Sequence, residues 1–170
     1  MITAEAIIKE YNKLTADDDI SKFHKTDYII QLANFPDVLD FYFARLTDSD
    51  EYWMVKVEIL KILRAWNFRN ESEELRISQV LELLLTNADA NIRHYAVSAV
   101  RWQFAKHGKI EHKIRTIASD LNEDDTVRFA AVKNIRQFGK NKNNLEILKN
   151  ISLEKNVLAE EALLILNEWD

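Results

Sequence analysis

The sequence has 170 residues, of which 47% are hydrophobic and 30% charged, and its formal net charge is −5. This length allows one buried core and predicts a single domain over residues 1–170. With only two glycines, one proline and no cysteine, a strand-rich fold with many tight turns is disfavoured, and disulfides and cysteine-based zinc or catalytic sites are excluded.

Charge and hydrophobicity also bear on partners and location. Residues 1–90 carry 10 Lys/Arg and 17 Asp/Glu, whereas residues 91–170 carry 13 and 11, so the amino-terminal half is acidic. Because Lys and Arg supply most of the affinity for a phosphate backbone, this balance disfavours sequence-independent nucleic-acid binding. No apolar run approaches the ~20 residues of a membrane span, and the first residues lack the core of a signal peptide. We therefore expect a cytoplasmic protein without membrane contact.

Helical periodicity begins at the amino terminus and continues to the end of the chain. Residues 1–50 predict amino-terminal capping helices, with helix breaks at 15–19 and at Pro36. Clear repeats are predicted over residues 51–170. The helices predicted after the first are 22–34, 37–46, 51–66, 73–85, 91–105, 110–121, 126–138, 145–153 and 157–169. About ten helices would form five antiparallel pairs, an all-α fold.

One pattern recurs through the second helices of these pairs. DANIRHYAVSAVRWQF at 89–104 returns as DDTVRFAAVKNIRQF at 124–138, and VKVEILKILRAW at 55–66 keeps the same apolar and cationic positions. LAEEALLILNEW at 158–169 keeps the apolar frame only. Alignment makes Val55, Ile92, Val127 and Leu158 equivalent, with steps of 37, 35 and 31 residues. Such a period predicts stacked helical hairpins, because a single hairpin cannot cover its own apolar face.

Two of these copies resemble the second-helix motif of HEAT repeats, in the short form of bacterial HEAT-like and bilin-lyase-type proteins. The matching segments are Asp89-x-x-Ile92-Arg93-x-x-Ala96-Val97 and Asp124-x-x-Val127-Arg128-x-x-Ala131-Val132. The resemblance covers residues 50–169 and implies a right-handed α-solenoid of about five antiparallel helix pairs. Tyr52 replaces the motif Asp in the first copy, and Ala159 replaces the Arg in the last, as a capping repeat would show.

The motif places a cation within the apolar face. If the aligned apolar residue is position 0, then positions 0, 4, 5 and 8 share one helix face and position 1 falls inside it. Lys56, Arg93 and Arg128 occupy position 1, so we expect them to be half buried and to require carboxylate partners. The predicted structural ladder pairs Arg93 and Arg128 with Asp89 and Asp124 and holds the repeats in register.

The opposite face of the second helices is rich in aromatic and cationic residues, and the resemblance places it on a concave surface. Arg64, Arg101 and Arg136 occupy equivalent positions and predict a row of guanidinium groups suited to carboxylates or phosphates. Aromatic and Arg residues also concentrate binding energy at interfaces. The predicted partner-binding residues are Arg64, His94, Tyr95, Arg101, Trp102, Phe129, Lys133 and Arg136. The alternative is that Trp102 folds back onto the neighbouring repeat and the arginines pair with nearby Glu.

Motifs for catalysis or metal binding are missing from the sequence. The four histidines, His24, His94, His107 and His112, lack metal-ligand spacing, and neither a G-x-S-x-G motif nor a phosphate-binding Gly loop occurs. We therefore expect no enzymatic activity, metal or cofactor.

The leading hypothesis is a non-enzymatic module that binds one protein partner on its concave face. One version is a bacterial toxin-immunity, inhibitor or adaptor protein, steered by its acidic half toward a basic toxin or enzyme. Two alternatives stay open. Trp66, Trp102, Arg101 and Arg136 could imitate the nucleic-acid surface of HEAT-like DNA glycosylases, and repeat length alone would also suit a bilin lyase. Partner identity and oligomeric state are left open.

Overall fold

The structure is a computed structural model that describes residues 2–15 and 17–170, without the side chain of Ala105. The regular secondary structure of these residues is all helical and includes no strand, so the all-α prediction is confirmed. None of the helices in the described ranges combines the length and apolar character needed to cross a membrane.

Ten α-helices and two 3-10 helices follow one another along the described chain. The α-helices are α1 Ala4–Tyr11, α2 Asp19–Leu32, α3 Leu39–Thr47, α4 Trp53–Ala65, α5 Glu71–Leu84, α6 Ala90–Ala99, α7 Ile110–Ser119, α8 Asp125–Ile135, α9 Lys142–Ile151 and α10 Val157–Trp169. The 3-10 helices are Trp102–Lys106 and Arg136–Phe138. Two compact units contain them, Met1–Asn67 with α1–α4 and Phe68–Asp170 with α5–α10. The prediction of one domain stays a prediction.

In the first unit a buried carboxylate joins two helices. α2 packs against α1 and α4, and α3 packs against α4. The Glu51 side chain is 1% exposed and lies 2.9 Å from Lys25 Nζ of α2 and 3.3 Å from Arg45 Nη1 of α3. The ring of Tyr11 lies beside this cluster, 4.8 Å from Lys25 Nζ, and burial together with Glu51 raises the pKa of its hydroxyl. Two cations balance Glu51, so its charge can stay buried.

In the second unit, helices of the same kind pack in succession. The second helices α6, α8 and α10 contact one another in that order, and so do the first helices α5, α7 and α9. Position 0 of the repeat is buried at Ile92, Val127 and Leu158. Val55, the equivalent residue in the first unit, is also buried. The apolar frame read from the repeat is therefore confirmed.

Glutamates, not the predicted aspartates, bind the repeat arginines. Arg93 Nε donates to Glu123 Oε2 over 3.0 Å, and Arg93 Nη1 donates to the carbonyl oxygens of Asn87 and Ala88. Arg128 Nη1 donates to Glu154 Oε2 over 2.9 Å, and its Nε donates to the carbonyl of Ala118. Each glutamate lies in the turn of the following hairpin, so the links run between successive hairpins.

Asp89 and Asp124 cap the amino termini of α6 and α8 instead of binding the arginines. Asp89 Oδ1 accepts from the backbone N–H of Asn91, and Asp124 Oδ1 accepts from that of Thr126, over 2.8 and 2.9 Å. A short Asp side chain suits this capping geometry, whereas the longer Glu side chain reaches the guanidinium of the neighbouring helix. The ladder is thus present with different carboxylates, and the predicted Asp partners are wrong.

One second helix ends earlier than predicted. α6 ends at Ala99, short of the predicted 105, whereas the 3-10 helix Arg136–Phe138 follows α8 directly and carries the helical run to the predicted 138. Side chains from the next hairpin take the last carbonyls of α6. Asn134 Nδ2 donates to the Val97 carbonyl over 2.8 Å, and Gln137 Nε2 donates to the Val100 carbonyl over 3.0 Å. Because these groups find partners there, the chain leaves the helix in an extended conformation at Val100 and Arg101.

The Arg128–Glu154 link predicts a specific loss of stability. The Arg128 side chain is 5% exposed, so removing the carboxylate leaves a buried cation without its counter-charge. We expect Glu154→Gln to lower the free energy of unfolding by about 2 kcal/mol, below the ~3–5 kcal/mol of a fully buried pair because Glu154 is partly solvated. Urea denaturation at neutral pH measures this. The exposed Glu146→Gln is the matched control, and equal effects of the two substitutions would contradict the account.

The same link sets a pH dependence. Hydrogen bonding by Arg128 holds the pKa of Glu154 below its ordinary value of 4.5. A carboxyl whose pKa is lowered on folding stabilises the protein above its unfolded pKa, and this contribution is lost as pH falls through the folded pKa. The stability difference between wild type and Glu154→Gln should therefore shrink as pH is lowered below about 4.5. A difference that stays constant down to pH 2 would contradict this.

Candidate functional site

Helix α6 contributes His94 and Tyr95 to the predicted face. Both side chains are half-buried, and their rings meet edge to face with centroids 5.0 Å apart. His94 Nδ1 lies 3.2 Å from the carbonyl oxygen of Thr126 at the start of α8. This contact brings the amino-terminal ends of the packed helices α6 and α8 together on that face.

Helix α8 contributes Phe129 and Lys133. They are four residues apart and so lie on one face of the helix. Lys133 Nζ lies 5.4 Å from the centroid of the Phe129 ring, within the range of a cation–π contact. Lys133 is exposed and forms no ion pair with any described residue, so its charge is available to a ligand.

Trp102 is an exposed aromatic residue on the 3-10 helix that follows α6. Its relative exposure is 68%, so the indole does not fold back onto a neighbouring repeat. Phe104, two residues further on, is fully buried and packs edge to face on Phe68 with centroids 5.8 Å apart. The buried Phe104 anchors the short helix and leaves Trp102 outside.

Arg101 does not present its guanidinium as the predicted row requires. The guanidinium carbon lies 4.8 Å from the Phe68 centroid and 5.4 Å from the Phe104 centroid. Burial lowers the pKa of Arg101, and the charge of Glu74 partly offsets this. The repeat position was assigned on the assumption that α6 continues through Arg101. Because α6 ends at Ala99, helical spacing no longer determines the direction of the Arg101 side chain.

The other two arginines of the row also have defined surroundings. Arg136 Nε lies 2.9 Å from Glu168 Oε2, and Arg136 Nη2 lies 3.4 Å from Glu161 Oε1, both on α10. This is the pairing with nearby Glu that the sequence left as an alternative. Arg64 is exposed on α4 in the first unit. The prediction that Arg101 and Arg136 belong to a row of open guanidinium groups is therefore wrong. A binding role for Arg64 stays a prediction.

Helix α10 adds a residue that the sequence reasoning left out. Leu164 is 56% exposed and holds the repeat position of Ser98 on α6 and Lys133 on α8. The signal was the repeat itself, because counting six residues from Leu158 reaches Leu164. Since α10 packs against α8, Leu164 extends the apolar part of the face. We call the exposed surface of Tyr95, Trp102, Phe129, Lys133 and Leu164 the aromatic face.

The aromatic face offers apolar contact and one open ammonium group. Nothing in its composition supplies a nucleophile paired with a base, and among residues 2–15 and 17–170 no three His, Asp or Glu side chains gather as a metal site requires. No protein-family model, curated protein or solved structure matches this chain.

Exposure of Trp102 predicts that its removal is harmless to folding. We expect Trp102→Ala to change the free energy of unfolding by no more than about 0.5 kcal/mol. Phe104→Ala, on the same 3-10 helix, should cost about 3–5 kcal/mol because it removes a fully buried ring. Chemical denaturation of both variants compares them directly, and a Trp102→Ala loss as large as that of Phe104→Ala would show that the indole is packed.

Proposed function

We propose that this protein is a non-enzymatic module that binds a protein partner on the aromatic face, and that its hairpins are HEAT-like repeats of a right-handed α-solenoid. Three features support the repeat assignment: the buried position-0 residues, the ordered packing of first and second helices in the second unit, and the Arg–Glu links between hairpins. A stack of hairpins repeats one surface position from helix to helix.

The observation that carries the binding proposal is the 68% exposure of Trp102 on the 3-10 helix that follows α6, together with the half-buried rings of Tyr95 on α6 and Phe129 on the packed helix α8. Burying a large aromatic side chain on association removes much apolar area from water. A packed second helix on each side of α8 supplies a firm base, so little ordering is needed when a partner docks. Aromatic side chains on such a base are the usual centres of protein interfaces.

The ion pairs of Arg136 favour a protein partner over nucleic acid. Phosphate binding needs open Lys or Arg side chains, whereas Arg136 is paired with Glu161 and Glu168 and Arg101 is packed over two rings. Lys133 alone, among the cations predicted on α6 and α8, is exposed without an ion pair to a described residue. One lysine among rings suits a carboxylate at the edge of an apolar patch.

An inhibitor or immunity role is the specific version of this proposal. Residues 1–90 hold 17 acidic and 10 basic side chains, and opposite charge accelerates the encounter with a basic toxin or enzyme. The aromatic face would then supply the short-range contacts that slow dissociation. Steering and contact would come from different parts of the chain.

Paired substitutions test this proposal. The protein is co-expressed with the products of genes adjacent to its own, and affinity for the co-purifying protein is measured with purified components. Tyr95→Ala combined with Trp102→Ala should weaken binding at least about 30-fold, since hot-spot residues cost ~2 kcal/mol or more each. Trp53→Ala, which removes an exposed tryptophan of α4, is the matched control and should change the affinity less than about twofold.

Three outcomes would contradict the proposal. Direct binding that survives the Tyr95/Trp102 double variant would place the partner elsewhere. Equal losses of affinity in the double variant and in Trp53→Ala would show that the partner does not bind specifically on the aromatic face. Binding of duplex DNA at about 50 mM salt, lost at higher salt, together with no protein partner, would favour the nucleic-acid function instead.

A further inference from the structure

One side of α10 is exposed where the equivalent side of α6 and α8 is buried. Position 5 of the repeat is fully buried at Val97 and Val132, whereas Leu163 is 46% exposed. Arg128, at position 1, binds Glu154 in the turn of the following hairpin, and position 5 lies on the same side of the helix because it is four residues further on. Position 5 is therefore where a second helix receives the next hairpin, and on α10 this side is open.

Helix α9 is open on the matching side. The last repeat step, 31 residues, makes Leu145 and Lys149 of α9 equivalent to Ile114 and Ala118 of α7. Ile114 and Ala118 are fully buried, whereas Leu145 is half-buried and Lys149 is exposed. Ile147 lines a groove shared with α7, and residues two positions away on either side point ~160° from it. Leu145 and Lys149 therefore lie on the side of α9 that faces away from α7.

These open sides of α9 and α10 form one surface, which is apolar along α10. Ala159 and Leu166 hold positions 1 and 8, on the same side of α10 as Leu163. The side chains that hold these positions on α8, Arg128 and Ile135, are buried, so the surface corresponds to one that α8 packs against the next hairpin. We call it the end face, and it consists of Leu145, Lys149, Ala159, Leu163 and Leu166.

Two residues make the end face unsuited to a further hairpin of the same repeat. Ala159 stands where Arg128 binds the turn of the next hairpin, so that link cannot form. Lys149 stands where Ala118 is fully buried, so stacking would take its ammonium group out of water without a counter-charge. The occupant of the end face must instead supply a carboxylate opposite Lys149.

The two helices of the end face carry opposite charges. α9 places Lys142 and Lys149 beside the single Glu146, whereas α10 contains no Lys or Arg. Glu160 of α10 and Lys149 are both exposed, and neither side chain forms an ion pair with a described residue. A surface that is basic along one helix and acidic along the other is complementary to a second copy of itself.

The apolar and charged groups of α9 and α10 also lie at matching heights. The two helices pack directly, and Leu145 and Leu163 are each six residues from the helix end at the α9–α10 turn, ~9 Å along each helix. Lys149 and Glu160 are two and three residues from these ends, ~3 and ~4.5 Å. A two-fold axis parallel to the helices keeps these heights and places α9 opposite α10 of the other copy.

We propose that the end face binds a second copy of the chain about such an axis. Leu145 then meets the partner's Leu163, so the half-buried and exposed leucines cover each other. Lys149 meets the partner's Glu160, which supplies the missing carboxylate. Because the axis is two-fold, each contact occurs twice.

This dimer goes beyond the proposed function and does not depend on it. α10 contributes Leu163 to the end face and Leu164 to the aromatic face, and neighbouring residues of a helix point 100° apart. Two copies joined at the end face therefore present two aromatic faces. A partner with two binding sites would gain avidity from such an arrangement.

Sedimentation velocity of the full chain from about 10 µM to 1 mM tests the dimer. Leu163→Glu places a charge at the centre of the end face and should weaken dimerisation at least about 30-fold, since both copies lose a leucine contact. Leu83→Glu changes a 58% exposed leucine of α5 and is the matched control, which should leave the dissociation constant unchanged. Both leucines are exposed, so unfolding curves at low concentration should match wild type.

Charge reversal tests the pairing of the two copies. Lys149→Glu and Glu160→Lys should each weaken dimerisation about tenfold, because each places like charges at both symmetric contacts. An equimolar mixture of the two variants should dimerise as tightly as wild type, since the heterodimer restores opposite charges at both contacts. With one variant labelled with nitrogen-15, native mass spectrometry separates this heterodimer from the two homodimers.

Three results would overturn the proposal. These are a wild-type monomer at about 1 mM, equal effects of Leu163→Glu and Leu83→Glu, and a mixture of charge variants that dimerises no better than either variant alone. Tyr95→Ala and Trp102→Ala should leave dimerisation unchanged, and Leu163→Glu should leave the affinity of a single aromatic face unchanged. Failure of the dimer and failure of the aromatic face are therefore distinguishable.

Discussion

Two arginines of the second helices, the buried Arg128 and the half-buried Arg93, set the arrangement of the second unit. Arg93 and Arg128 each require a counter-charge where water is scarce, and each finds it in the turn of the next hairpin, at Glu123 and Glu154. A buried cation is tolerated only in a narrow geometry. The pair therefore disfavours a sliding of one hairpin past the next, and bidentate contact with the flat guanidinium strengthens this preference.

The aromatic face depends on this register. Side chains of the α8 hairpin reach the end of α6 through Asn134 and Gln137, and Thr126 meets His94 at its start. α6 and α8 are thus joined at both ends. Tyr95 and Phe129 project from helices held at a fixed offset, and the 3-10 helix after α6 adds Trp102. Because these polar contacts fix the positions of α6 and α8, aromatic rings can be exposed on their surface without a change in the packing of the helices.

Sequence periodicity was sufficient for the presence and order of the helices and for the buried apolar frame, because both depend on spacing within one helix. Val127 and Arg128 are where the repeat places them. The partner of each arginine depends on the length of the acidic side chains in the turn. The longer Glu123 side chain reaches Arg93, whereas the shorter Asp124 side chain caps its own helix. Arg101 was misplaced because α6 ends early, when Asn134 and Gln137 take its last carbonyls. Such an ending is decided by contacts from residues 37 positions away in the chain, which periodicity does not contain.

The most direct test of the shared face is a cross-link between α6 and α8. The chain has no cysteine, so Ser98→Cys with Lys133→Cys creates a unique pair at equivalent repeat positions on helices whose axes lie ~8–10 Å apart. A short bismaleimide should join this pair rapidly and should not join Ser98→Cys with Lys149→Cys of α9. Slow cross-linking of the first pair, or equal rates for both, would show that α6 and α8 do not present one face.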